Sequence, residues 1–333
     1  SSTVAGNTAG RDGGGVYSPG PATLHNSIVA GNSAANAADW WGRVDARSSL
    51  IGIDPGFADA AGGDYSLAPT SIAMDAGDNA LLPADATDLD DDDDTGEPLP
   101  LDRGLHQRVA GLAVDLGAHE YQDAPGLRET PSPVVTTLAD VVDSTDAEIS
   151  LREALAYSML GAAGGTVTSA PCLRGGTVTL SGTELVLYAS VAVDGGPAGM
   201  TIEAAGQSRA LWVTGSDATT VALRNLEIAG GRSDRSGGAI LNGASLSLTG
   251  CIVRDSTAEA SGGGILNDFY GTLALTRSTL RGNRAADDGG GVASDSDRPV
   301  MVTNSALVGN TAGISGGGIC NGFAGDLKLV NST

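Results

Sequence analysis

Aromatic residues are scarce in this chain, at only 4% of its 333 residues. One large globular core must be filled to crystal-like density, which needs more bulky apolar side chains than that. Positive charge is also scarce. Lys and Arg number 18 against 40 Asp and Glu, for a formal net charge of −22. Such a surface repels a polyanion, and no basic stripe offsets it, so a nucleic-acid partner is excluded. An anionic membrane surface is disfavoured for the same reason. No apolar run reaches about 18 residues, so nothing reads as a membrane-spanning helix. No signal peptide is visible, and the sequence starts inside a repeat, which predicts a segment of a longer chain. Cysteine is limited to Cys172, Cys251 and Cys320. A sparse, odd set makes no disulfide framework. Cys251 and Cys320 are more than two repeats apart. At about 4.8 Å per coil, that puts them beyond disulfide reach.

Glycine, by contrast, is abundant, with 50 residues. Four clusters punctuate the last hundred: Gly237-Gly238-Ala239, Gly262-Gly263-Gly264, Gly289-Gly290-Gly291 and Gly316-Gly317-Gly318. They are spaced 25, 27 and 27 residues apart. Gly13-Gly14-Gly15 forms a similar cluster near the start. The intervening segments align as well. Arg277-Ser-Thr-Leu-Arg-Gly-Asn283 matches Asn304-Ser-Ala-Leu-Val-Gly-Asn310. Ser1-Ser-Thr-Val-Ala-Gly-Asn7 and Asn26-Ser-Ile-Val-Ala-Gly-Asn32 share that phase. Short stretches such as Leu246-Ser-Leu248 alternate with period two, one face in and one face out. Helical solenoids need periodic runs of ten or more residues, and these coils have none. The pattern predicts an all-β fold, a right-handed parallel β-helix, written as two partial β-helices with a short capping helix at about 150–160. Glycine supplies the positive φ of the corners. Asn242, Asn267 and Asn321 are expected to stack in a ladder that satisfies backbone groups at the turns.

Five segments follow. Residues 1–39 read as the final coils of a first β-helix, and 40–122 as its C-terminal end module. Residues 123–133, rich in Pro and polar groups, read as a linker. Residues 134–175 form an N-terminal cap with the helix, and 176–333 a second β-helix, open at its C-terminal end. The end module contains Asp54-Pro-Gly-Phe57, Ser71-Ile-Ala-Met-Asp-Ala-Gly-Asp78 and Val114-Asp-Leu-Gly-Ala-His-Glu-Tyr121. With these phrases, residues 1–122 resemble the choice-of-anchor Q domain of bacterial surface proteins, which implies the end of a β-helix. Ser150-Leu-Arg-Glu153 is a capping box, with Leu151, Ala154, Leu155 and Leu160 as an apolar stripe and Gly161 as the stop. Ser150 to Ala154 also resemble the string that names the CSLREA domain, with Ile149 in place of its Cys. That resemblance implies a helix capping the start of a β-helix, with Arg152 and Glu153 structural rather than catalytic.

The ends share one coil phase. Asn331-Ser332-Thr333 aligns with Ser1-Ser2-Thr3, and joining Thr333 to Val4 writes a continuous coil. Open solenoid ends template further pairing. Ser1, Ser2, Thr3 and Val4, with Leu329, Val330, Asn331, Ser332 and Thr333, are therefore the candidate self-association residues. The expected partner is self, head to tail, in a covalent tandem array or as stacked subunits. The leading function is an extracellular structural repeat unit of a bacterial surface fibre, filament or giant adhesin, with no enzymatic activity and no catalytic residues. A second reading is a glycan- or surface-binding adhesion module, for which Trp40, Trp41 and Trp212 are available platforms. A third is a polysaccharide lyase or hydrolase. Its candidate groups are Asp234, Arg235, Asp287, Asp288, Asp295 and Asp297, beside the glycine corners. His25, His106 and His119 all lie in the first half, so none serves those coils. No cofactor is expected beyond calcium. Asp88, Asp90, Asp92 and Asp94 alternate as carboxylates converging on a hard cation do. Asp91 and Asp93 stand where a calcium loop favours glycine.

Overall fold

A short strand between two glycine corners cannot bury its apolar face alone, but stacked copies share one core. The computed structural model shows this stacking; it describes the chain except for residues 87, 91–92, 123–128, 162–164 and 323–324. The chain forms two units. The first comprises Ser1–Pro131, Val142–Glu148 and Met159–Ala163; the second comprises Ser132–Val141, Ile149–Ser158 and Gly164–Thr333. Of the expected linker 123–133, residues 123–128 lie outside the described residues.

The second unit is a parallel β-solenoid. Its broadest sheet has eight strands, from Val134–Val135 through Val167–Ser169, Val191–Asp194, Thr220–Arg224, Ser245–Thr249, Thr272–Thr276 and Val300–Thr303 to Leu327–Val330. Two six-stranded sheets run from Thr177–Thr179 to Ala306–Val308 and from Leu185–Leu187 to Ile319–Asn321. A four-stranded sheet of two-residue strands runs from Arg232–Ser233 to Thr311–Ala312. Ile240 pairs with Ile265, Ile265 with Val292, and Val292 with Ile319, all parallel. These steps of 25, 27 and 27 residues reproduce the glycine spacing. Side chains at equal phase form rows along the axis. Leu246, Leu273 and Val300 make one buried row, and Leu248, Leu275 and Val302 another. Burying each such side chain contributes about 1.5–3 kcal/mol before ordering costs.

Each glycine cluster has two duties. Gly262 has φ +71°, a left-handed corner. Gly263 has no such angle, but a Cβ there would collide with the backbone of Arg284, in the short strand of the following coil. The corner therefore needs glycine once for conformation and once for space.

Helix α1, Leu151–Leu160, lies where the capping box predicts. The Ser150 N–H donates to Glu153 Oε2 (2.8 Å) and the Glu153 N–H donates to Ser150 Oγ (3.2 Å). The expected stripe is too narrow, because every residue from Leu151 to Tyr157 is buried, whereas Leu160 is only half-buried. Arg152 tolerates burial through pairing. Its Nε and Nη2 donate to the two carboxylate oxygens of Asp140 (both 2.9 Å) and its Nη1 and Nη2 to the carbonyls of Glu184 and Thr183 (both 3.1 Å).

The first unit also begins as parallel coils. Thr3–Ala5 pairs with Ile28–Ala30, which pairs with Leu50–Ile51. Val16–His25 pairs with Trp40–Arg47, with a register shift between Ser18 and Ala22. Parallel pairing thus runs past residue 40, where the repeat fades in sequence. An antiparallel hairpin follows, Phe57–Asp59 with Asp64–Leu67. The rest is mostly irregular and packs back on the coils. The Leu116 N–H donates to the Ala73 carbonyl and the Gly117 N–H to that of Asn26 (both 2.9 Å). Among the described residues, no helix is long and apolar enough to cross a membrane.

Candidate functional site

Corner backbone groups are buried between coils and must find partners. Side-chain ladders supply them. Asn242 Nδ2 donates to Asn267 Oδ1 (2.7 Å), and Asn267 Nδ2 donates to Ser294 Oγ (3.1 Å). Asn321 stands in register with Ser294. The expected Asn ladder therefore contains one serine rung. Two further ladders run along the strand that begins at each left-handed corner. In one, the N–H groups of Ser278 and Ser305 donate to the hydroxyls of Ser305 and Ser332 (3.1 and 3.3 Å). In the other, Asn283 N–H and Nδ2 both donate to Asn310 Oδ1 (3.0 Å each). The aligned Asn-Ser…Gly-Asn strings carry these rungs. Alignment reveals shared phase but not which way a side chain points, so the ladders were not legible from it.

The first unit repeats both devices. The Ser2 N–H donates to Ser27 Oγ (3.1 Å), and Asn7 N–H and Nδ2 donate to Asn32 Oδ1 (2.9 and 3.0 Å). Ser1 to Val4 thus lie on an outer rung of the first unit. In the second unit, Leu329 and Val330 belong to the edge strand beside Val300–Thr303, followed by the left-handed corner Asn331 (φ +47°). The Thr333 N–H donates to the Ser305 carbonyl (3.0 Å), and the Leu307 N–H to the Thr333 carbonyl (2.8 Å). Each string therefore occupies, in its own unit, the same corner phase. Val308 is 54% and Leu329 57% exposed on these outer rungs.

The acidic loop gathers a trio that differs from the four carboxylates expected. Asp85, Asp88 and Asp90 each place a carboxylate oxygen within 4.8 Å of the others. Asp92 lies outside the described residues, and Asp94 Oδ1 accepts the Gly96 N–H (2.9 Å). Asp85 is fully buried and its Oδ2 accepts the Leu89 N–H (2.6 Å). It stands apart from the acidic run in sequence and was missed for that reason. Asp93, where glycine would help, adopts φ +65°, and Asp88 adopts +52°. Asp tolerates this region better than most residues. Three carboxylates at this spacing could hold a hard cation.

Beside this loop in sequence lies a buried charge group. Arg108 and Glu120 are paired at 3.7 Å, both buried, as are Asp102 and Asp115. Burial first, then the Asp115 charge, pushes the Glu120 carboxyl up to about 7, against the pull of two N–H donors and Arg108. Burial also pushes Asp102 up, but N–H donors from Glu120, His106 and Gly104 outweigh it and hold Asp102 below the usual carboxylate range. His106 Nδ1 lies 3.5 Å from Asp102, and His119 Nε2 lies 3.2 Å from Arg103.

Of the carboxylates considered for polysaccharide chemistry, Asp288 acts on Asp295. Burial, then the Asp288 charge, raises Asp295 above its ordinary range. Asp234 and Asp297 are exposed, and Arg235 and Asp287 are half-buried. The three cysteines are free. Of the three tryptophans, Trp40 (2% exposed) and Trp212 (4%) are buried and offer no platform, whereas Trp41 stacks on Tyr17. No family model, curated protein or solved structure matches this chain.

Proposed function

We propose that the chain is an extracellular structural repeat unit, a stretch of solenoid in a bacterial surface fibre, filament or adhesin, which stacks end to end through its outer coils. The observation that carries this reading is the common chemistry of the outer rungs. In both units a Ser N–H meets a Ser hydroxyl and an Asn N–H meets an Asn carboxamide one coil on. In both, donation runs from the earlier coil to the later. A head-to-tail join keeps that direction, whereas a head-to-head join opposes it. Leu329, exposed but in register with buried Val302, favours covering the last rung, because open apolar strand edges recruit further strands. The surface setting rests on the resemblance of residues 1–122 and 150–154 to surface-protein modules. Strong negative charge suits a soluble, extended array.

Sedimentation of the 333-residue chain over a concentration series tests the stacking. The expected outcome is mass that grows with concentration, and Leu329→Lys, which places a charge on the edge strand, should return the chain to monomer. A monomer at every concentration, unchanged by Leu329→Lys, removes this reading.

A further inference from the structure

The first unit holds an open cleft of about 430 Å³, lined by Ala9, Arg11, Asp12, Tyr17 and Trp41. Tyr17 and Trp41 are direct neighbours on parallel strands. Their rings stack with centroids 4.5 Å apart and 11° between planes. Tyr17 is nonetheless 56% exposed. Its coil position, the second residue after a glycine cluster, is filled in the second unit by Leu241, Leu266, Ala293 and, on the outermost coil, Cys320. The first three are 5%, 6% and 2% exposed and Cys320 is half-buried. The first unit instead keeps a ring pair partly open to solvent at this position. Beside the rings, Arg11 Nε pairs with Asp12 Oδ2 at 3.1 Å. Asp12 is held in place because its Oδ1 accepts from Asn36 Nδ2 (3.1 Å), whereas the Arg11 side chain is 79% exposed.

We propose that this cleft binds a neutral pyranose sugar within an oligosaccharide, a role beyond that of a structural unit, which needs no ligand. A pyranose has one apolar C–H face and a rim of hydroxyls that both donate and accept. The stacked rings match the first, and the adjoining donor and acceptor, Arg11 and Asp12, match the second. Small-molecule clefts commonly combine an apolar floor with a few placed polar groups in this way. Arg11 and Asp12 cancel in charge, so nothing local draws an ion. The chain's net charge of −22 disfavours uronates and phosphates.

The test is calorimetric titration of the whole chain with neutral cello-, xylo-, manno-, galacto- and chito-oligosaccharides, and with oligogalacturonate. The expected result is saturable binding of at least one neutral sugar, with a change in Trp fluorescence, and none of oligogalacturonate. Tyr17→Ala should weaken binding about tenfold or more, Arg11→Ala should weaken it, and Tyr17→Phe should retain it. Urea unfolding of each variant separates lost binding from lost fold. Absence of binding by every neutral sugar, oligogalacturonate binding as tightly, or full binding by a folded Tyr17→Ala would each overturn the proposal.

Discussion

At the residue scale, the glycine clusters make the sharpest demand. A Cβ at Gly263 meets the Arg284 backbone, while a Cβ at Gly243 meets only the Val213 carbonyl at 3.5 Å, an ordinary contact. Gly263→Ala should therefore lower the stability of the second unit by about 1–3 kcal/mol, through overpacking. Gly243→Ala should be near neutral or slightly stabilising, because it restricts the unfolded chain. Urea midpoints of the two variants check this, and equal midpoints would contradict it. The spacing of the clusters was legible in the sequence and set the coil length. Which glycine serves conformation and which serves space was not, because the atom that excludes a Cβ at Gly263 sits in the next coil. Asp85 was hidden in the same way. The alternation of Asp88, Asp90, Asp92 and Asp94 is visible along the chain, but only folding brings Asp85 to Asp88 and Asp90.

At the element scale, α1 depends on the buried pair of Arg152 and Asp140, whose side chains are 6% and 2% exposed. Burial pushes the Asp140 carboxyl up. The Arg152 bond and charge and the Ser181 bonds outweigh this, so Asp140 ends below its ordinary value of 3.8. A depressed carboxylate contributes stability above its unfolded value and loses it as pH falls through the folded one. Arg152→Ala should then cost the second unit about 3–5 kcal/mol at pH 7, since a buried charge loses its partner. The cost should shrink once acid neutralises Asp140. Denaturant unfolding of wild type and variant at pH 7 and in strong acid measures this, and a cost independent of pH would refute it. The capping box was legible because it is complete within Ser150 to Glu153. Asp140 was not, because it reaches Arg152 from a separate loop.

For the molecule as a whole, each unit holds both a depressed carboxyl and a raised one, so pH pulls on its stability in opposite directions. In the first unit Glu120 is raised from 4.5 to about 7. Between these values the folded state holds a proton that the unfolded state has released, so stability falls as pH rises through that window. The loss is on the order of 2 kcal/mol. Glu120→Gln should flatten this dependence of the first unit, followed by hydrogen exchange of its backbone between pH 4.5 and 7. An unchanged slope would show that Glu120 is not the group responsible. The parallel solenoid itself was legible from the repeats, whereas this charge group was not, because its members lie in the irregular module that has no periodicity to read.

Coil registration carries one more consequence. From Thr220 onward, the second unit keeps two of its three connections constant. Ala229, Arg254, Arg281 and Val308 stand in register, as do Ile240, Ile265, Val292 and Ile319, so in these four coils the path between the two sheets has the same length. These later coils differ only where the chain leaves Asn242 or Asn267 for the broad sheet. Gly243 and Ala244 suffice after Asn242, whereas Asp268, Phe269, Tyr270 and Gly271 are used after Asn267. Phe269 and Tyr270, the longer turn's central pair, are partly in water. Along this edge the later coils accept two extra residues with no shift of register. A grafted loop would be displayed there, whereas at the other corners length varies only in the earlier coils, where Glu203 to Leu211 is a shorter path than Ala229 to Ile240.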